Sequence, residues 1–166
     1  ILKTRPKKSA AAYKKIWWKD GSPLVVISKK TQEKVQKLTE FPVSLGMRYG
    51  KPSIEDGLKE LADKGVTEVF LMSLYPQYAM STTETVEVLA DELVEEKFPQ
   101  LHLTKLPPFY NKPDYIQNIS DVIAKDLAGF DYDCLLFSYH GLPERHLRKT
   151  DQTGKLKVLR STPFRG

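Results

Sequence analysis

Four short stretches carry the residue types that could do chemistry. Ser138-Tyr139-His140-Gly141 sets an imidazole directly after an apolar run, with a glycine that lets the backbone turn sharply. A neutral imidazole takes a proton near neutral pH or binds a divalent metal. Arg48-Tyr49-Gly50, Tyr75-Pro76-Gln77-Tyr78 and Phe109-Tyr110 add a guanidinium and a series of aromatic rings. Such a set suits a flat, largely apolar ligand with a few polar or anionic groups. Tyrosines that merely cover the end of a sheet would give the same pattern. His146 follows six residues after His140 with Pro143 between them, so the two imidazoles do not share a helical face.

Three familiar site patterns fail. Gly46-Met47-Arg48-Tyr49-Gly50-Lys51-Pro52-Ser53 imitates a phosphate loop, but its glycines are one residue too close and Pro52 separates the lysine from the serine. No GxGxxG follows an apolar run, which leaves a dinucleotide without its phosphate turn. No GxSxG exists, so His140 has no serine nucleophile to activate.

The elements that must position these stretches alternate. Short apolar runs at 24–28 (LVVIS), 43–48 (VSLGMR), 69–74 (VFLMSL) and 134–138 (CLLFS) read as buried strands, and 101–106 alternates as an edge strand would. Helices lie between them. Ser53 with Asp56 resembles a capping box ahead of Ile54, Leu58, Leu61 and Ala62, with Gly65 as the stop. Ser81 with Glu84 looks like a second box, ahead of Val86, Leu89, Ala90 and Leu93, with Pro99 beyond. Pro113 opens a helix carrying Ile116, Ile119, Ile123 and Leu127. Thr31 starts one with Val35 and Leu38, and Ser9 caps one with Tyr13 and Ile16. The alternation predicts an α/β three-layer domain, a parallel sheet flanked by helices and joined by right-handed crossovers. Reactive loops then gather beyond the carboxyl ends of the strands, where open α/β sheets bind ligands.

Composition bounds the rest. The 166 residues suit one domain over 1–154, with 155–166 an unassigned tail of no clear periodicity. Hydrophobic content of 40% with 28% charged residues is globular rather than disordered. The single cysteine, Cys134, excludes a disulfide framework and a CxxC site. No apolar run approaches the roughly 18 residues of a membrane span, and no signal peptide is visible. The net charge of +5 is uneven: residues 1–20 hold seven Lys/Arg against Asp20 alone, while 21–143 are net acidic. Basic ends on an acidic body, with no RNA- or DNA-binding motif, argue against nucleic acid as a partner. They fit an anionic membrane surface or an acidic ligand. The expected location is the cytoplasm, with peripheral membrane contact as the variant of it.

Phe137-Ser138-Tyr139-His140-Gly141-Leu142-Pro143-Glu144-Arg145 strongly resembles the histidine motif of ferrochelatase, which inserts ferrous iron into a porphyrin. Four further segments resemble the same family in the same order. They are Arg5-Pro6-Lys7-Lys8-Ser9 with Tyr13, then Gly21-Ser22-Pro23-Leu24, then Met47-Arg48-Tyr49 with Pro52, then Tyr75-Pro76-Gln77-Tyr78 with Ser81-Thr82-Thr83. The resemblance covers about residues 3–151. It implies two similar α/β domains with the porphyrin between them. This chain looks like the first of the two without its opening strand, and on its own it is expected to be inactive.

The resemblance assigns roles by position. His140 matches the histidine that contacts the metal and takes pyrrole protons. Arg5, Tyr13 and Ser22 fall on porphyrin-contacting positions, and Arg5 can pair with a propionate. As bland alternatives, Arg5 is one of many solvated cations and Ser22 before Pro23 is a good turn residue. The acidic partner of the histidine lies in the family's second half. Ferrous iron and a protoporphyrin or coproporphyrin are substrates, and no group is expected to be held permanently. Some members carry a [2Fe–2S] cluster. Met80 stands where one cluster cysteine would be, and Cys134 is expected inside a strand, so no cluster is expected. Two alternatives stay open: a cobalt chelatase acting on a related tetrapyrrole, and a non-catalytic α/β module for a flat cofactor such as a flavin.

Overall fold

The computed structural model describes residues 5–139 and 141–151, and the side chains of 5–8 and 150 are outside that description. In chain order the elements are α1 (Arg5–Ile16), α2 (Pro23–Gln36), α3 (Ile54–Asp63), β1 (Glu68–Leu71), a π-helical turn (Met80–Glu84), α4 (Thr85–Lys97), β2 (His102–Lys105), α5 (Pro113–Leu127) and α6 (Glu144–Thr150). The class is α/β. β1 and β2 pair in parallel: Thr67 O accepts from His102 N at 2.7 Å and Leu71 O from Leu106 N at 3.0 Å, so both strands advance together. α4 supplies the crossover between them, as a parallel pair requires.

Contacts cluster in two compact units. One takes in the described residues up to Val69 together with Leu89–Leu103; the other takes in Phe70–Val88 and those from Thr104 onward. The region 155–166 lies outside the described residues.

The first unit holds most of the core. Ile54, Leu58 and Leu61 from α3 are buried, as are Ala90 and Leu93 from α4, Val69 from β1 and Leu101. The spacing of the α3 residues puts them on one face. Ser53 caps that helix as the sequence predicts: its hydroxyl accepts from Asp56 N at 3.1 Å, and Asp56 Oδ2 accepts from Ser53 N at 2.7 Å. Gly65, at φ +75°, turns the chain away at the far end, its N–H donating to Ala62 O. Gly57 lies mid-helix because Leu45 O would stand 3.1 Å from a Cβ there, and Gly46 faces Ile54 just as closely. The two glycines let residues 44–46 lie directly on α3.

Several expected strands are absent. Residues 24–28 are the start of α2, with Ser22 at the N-cap and Pro23 in the first turn. Short apolar runs do not distinguish strand from helix, and here the run continues into the helix formers of 29–36. The predicted helix start at Thr31 therefore moves to Pro23. Residues 43–48 form no strand; Met47 makes only an isolated parallel bridge to Ser53. Gln36 Oε1 accepts from Val43 N at 2.8 Å and Gln32 Nε2 donates to Val43 O at 2.7 Å, so side-chain amides of α2 take both backbone groups. Residues 134–138 form no strand; Leu136 is 86% exposed and Cys134 is an exposed free thiol. β1 starts at Glu68 and turns Phe70 outward at 61% exposure, so it lacks the cover on both faces that a buried parallel strand has.

Helix boundaries also shift. Ser81 caps nothing, because a π turn from Met80 runs into α4 at Thr85, with Ala79 at its N-cap. Ser9 lies inside α1 rather than before it. α5 follows Pro113 as predicted, yet none of its residues is buried.

Candidate functional site

Three sequence-selected residues fall within a continuous stretch of the first unit. Arg5 opens α1, and Tyr13 follows two turns later, about 12 Å along the axis. Tyr13 is 60% exposed. A tight turn then joins α1 to α2: Trp18 N donates to Gly21 O at 3.0 Å and Gly21 N to Trp18 O at 3.2 Å. Gly21 takes φ +116°, a conformation that side chains disfavour. Ser22 comes next, at the N-cap of α2. Serine there ordinarily accepts from the second or third helical N–H. Ser22 makes no such side-chain bond; its carbonyl instead accepts from Val26 N at 3.0 Å. The α2 start carries no acidic residue, so its exposed N–H groups and dipole favour a carboxylate. A hydroxyl not spent on capping, beside a helix start, is chemically suited to an anionic substituent.

Arg48 belongs to the same unit. Its guanidinium lies over the Tyr49 ring, 4.7 Å from the centroid. The loop that follows is closed by Met47 N donating to Pro52 O at 2.8 Å.

The second unit holds three of the four stretches and ties two of them together. Phe109 N and Tyr110 N both donate to Pro76 O, at 3.0 and 3.1 Å, which ties the loop after β2 to the loop after β1. Phe109 packs edge-on against Tyr115 at 5.2 Å. Thr83, buried in the π turn, donates from Oγ1 to Gln77 O at 3.4 Å. π turns are rare and recur at functional sites. Tyr78 is hydrogen-bonded to Glu84; burial, then that bond and the charges of Glu84 and Glu87, push its phenol above the usual range. Tyr78 is thus a protonated donor. Glu84 Oε2 and Ser73 Oγ are buried and meet no partner. The Tyr78–Glu84 pair escaped sequence reasoning, since a spacing of six residues matches no regular element.

The histidine motif is only partly within view. His140 lies outside the described residues. Before it, Phe137 and Tyr139 stack at 6.4 Å with 16° between planes; after it, α6 carries His146. Among the described residues no three of His, Cys, Asp and Glu gather as metal ligands. The sequence predicts one edge lined by all four stretches. The structure joins Tyr75–Tyr78 to Phe109–Tyr110 through Pro76, and places Tyr13, Ser22 and Arg48 in the other unit.

The Ferrochelatase family model matches residues 1–162. The ferrochelatase of Stutzerimonas stutzeri (strain A1501) is 51% identical over 156 residues, covering 93% of this chain and 45% of that protein. That of Ectopseudomonas mendocina (strain ymp) is 49% identical over 155 residues, with the same coverage. That of Pseudomonas syringae pv. syringae (strain B728a) is 48% identical, covering 93% of this chain and 46% of its own length. The chain spans about half the length of these curated relatives.

Proposed function

The chain belongs to the ferrochelatase family, and from that membership we propose that its parent inserts ferrous iron into a porphyrin in haem biosynthesis, a lyase-type reaction. The observation that carries the reading is the family match over 1–162, which includes every motif quoted above. The reaction exchanges two pyrrole protons for one Fe²⁺ with no change of oxidation state. The metal and a protoporphyrin or coproporphyrin are both substrates.

In this reading His140 meets the metal and takes pyrrole protons; its ordinary pKa near 6.5 suits a base at neutral pH. Arg5 pairs with a propionate, Tyr13 offers ring surface and a hydroxyl, and Ser22 donates a hydrogen bond to an anionic substituent. The unused Ser22 hydroxyl at a helix start supports that last role. The rest of the parent chain is the partner that completes the site and supplies the acidic group opposite His140. No prosthetic group forms part of the reading. The expected burial of Cys134 no longer argues against a [2Fe–2S] cluster, but Met80 in place of a cysteine still does.

No helix among the described residues is long and apolar enough to cross a membrane. The reading places the protein in the cytoplasm, with peripheral membrane contact as the variant of it. The test is metal insertion by the parent-length chain. Formation of ferrous porphyrin is expected, with Co²⁺ as the comparison. Insertion of Co²⁺ with no insertion of Fe²⁺ would replace iron with cobalt, and no insertion of either would remove the reading.

A further inference from the structure

We propose that Glu84 is a positioning residue for the porphyrin, holding the Tyr78 ring in place as a surface that the macrocycle meets. The inference rests on the porphyrin reading above and names which side chain of the Tyr75–Tyr78 stretch touches the ligand. That stretch follows the carboxyl end of β1, and Pro76 O ties it to the loop after β2 by accepting from Phe109 N and Tyr110 N. Open α/β sheets bind ligands beyond the carboxyl ends of their strands. The rings gathered there are not equivalent. Phe109 packs edge-on against Tyr115. Tyr75, Tyr78 and Tyr110 stay exposed, Tyr78 at 40%. Of these three, Tyr78 has its hydroxyl held, donating to the Glu84 carboxylate.

Two unfavourable features meet at Glu84. Its Oε2 is buried with no partner among the described residues, which leaves the bond from Tyr78 to the other oxygen. A carboxylate oxygen taken out of water without a donor is destabilising, and such groups in a native structure point to a role other than stability. The backbone also leaves the α-helical register here: Ala79 O accepts from Glu84 N at 3.3 Å, five residues on, and that closure carries Glu84 at the end of the π turn. The same turn anchors the chain ahead of Tyr78. Gln77 O accepts from Thr83 Oγ1 at 3.4 Å, so both residues before Tyr78 are tied through their carbonyls. A ring fixed at its hydroxyl and along its backbone is ordered before the ligand arrives, which lowers the entropy lost on binding. With the hydroxyl committed to Glu84, Tyr78 offers ring surface, which suits a flat macrocycle. The negative charges of Glu84 and Glu87 act on the phenol, so a propionate is disfavoured beside it.

The experiment is a double-mutant cycle on protoporphyrin affinity, read by fluorescence titration of the parent-length protein, with the urea midpoint of each variant measured beside it. Tyr78→Phe and Glu84→Ala should each weaken binding about 10-fold, and the double variant no more than either alone. Tyr78→Ala removes the ring as well and should bind more weakly still. Glu84→Gln keeps an acceptor for the phenol and should bind within about 2-fold of the unaltered protein. A lowered midpoint with unchanged porphyrin affinity would make the pair structural only and overturn the proposal. Losses that add in the double variant, or a glutamine variant as weak as the alanine one, would overturn it too, the first by uncoupling the two side chains and the second by assigning charge in place of the hold. If Glu84→Ala does not fold, Tyr78→Phe decides: unchanged affinity overturns the role of the hydroxyl bond. An unaltered protein that binds no porphyrin removes the reading itself, whereas porphyrin binding that every variant retains overturns only the part given to Glu84 and Tyr78.

Discussion

Lys51 Nζ lies 2.8 Å from Asp56 Oδ2, and the same oxygen accepts the Ser53 N–H at 2.7 Å. The Lys51 bond first, and the Ser53 backbone and hydroxyl bonds after it, hold the Asp56 carboxyl at about 2. A carboxylate whose pKa falls on folding stabilises the fold above its unfolded value, near 3.9, and loses that contribution as pH falls through the folded value. Asp56→Asn should therefore lower the urea midpoint near neutral pH. The gap from the unaltered chain should close between about pH 4 and pH 2. A gap that persists unchanged to the acid end would contradict the assignment.

Gly46 lets the chain lie on α3. A Cβ there would stand 2.9 Å from Ile54 Cα, which is backbone and cannot rotate aside. Gly46→Ala should cost about 1–3 kcal/mol, the range of other overpacked sites, read as a lower denaturation midpoint. A midpoint equal to that of the unaltered chain would show that residues 44–46 do not pack on α3 this closely.

Leu58 anchors the same core one turn further along α3. It is 4% exposed and belongs to the buried set of the first unit. Leu58→Ala should destabilise by about 2–5 kcal/mol in equilibrium unfolding. A loss under 1 kcal/mol, the size of a typical surface change, would mean that the site is not core.

Ser22 separates binding from stability. Its hydroxyl caps nothing, so Ser22→Ala should leave the unfolding midpoint unchanged, whereas a capping serine would cost about 1 kcal/mol. If the hydroxyl serves a carboxylate, protoporphyrin affinity should fall about 10-fold or more, the worth of a hydrogen bond to a charged group. A lowered midpoint with unchanged porphyrin affinity would return Ser22 to the turn.

What was legible in the sequence depended on whether the signal was local. The Ser53–Asp56 box and Gly65 marked both ends of α3 because caps are written in residues three or four apart. Pro113 marked α5 for the same reason. Residues 24–28 misled because an apolar run of that length fits either element, and the Ser22-Pro23 pair that settles it suits a turn as well as a helix start. Val43 misled because its backbone partners are the side chains of Gln32 and Gln36, eleven and seven residues back. At the site, the grouping of Tyr75–Tyr78 with Phe109–Tyr110 was legible, because both stretches follow strands that run in parallel. Nothing in the sequence tied Tyr78 to Glu84, since that bond depends on how the loop closes.

If His140 serves the metal-insertion step of the parent chain, iron insertion should depend on its imidazole while porphyrin binding should not. The most direct measurement is ferrous insertion into protoporphyrin by the parent-length protein and its His140→Ala variant, with porphyrin affinity measured on both. The account predicts a rate lower by about 10²–10⁴-fold, the usual worth of a positioned base, at nearly unchanged porphyrin affinity. A variant that inserts iron at a near-normal rate would take His140 out of the mechanism.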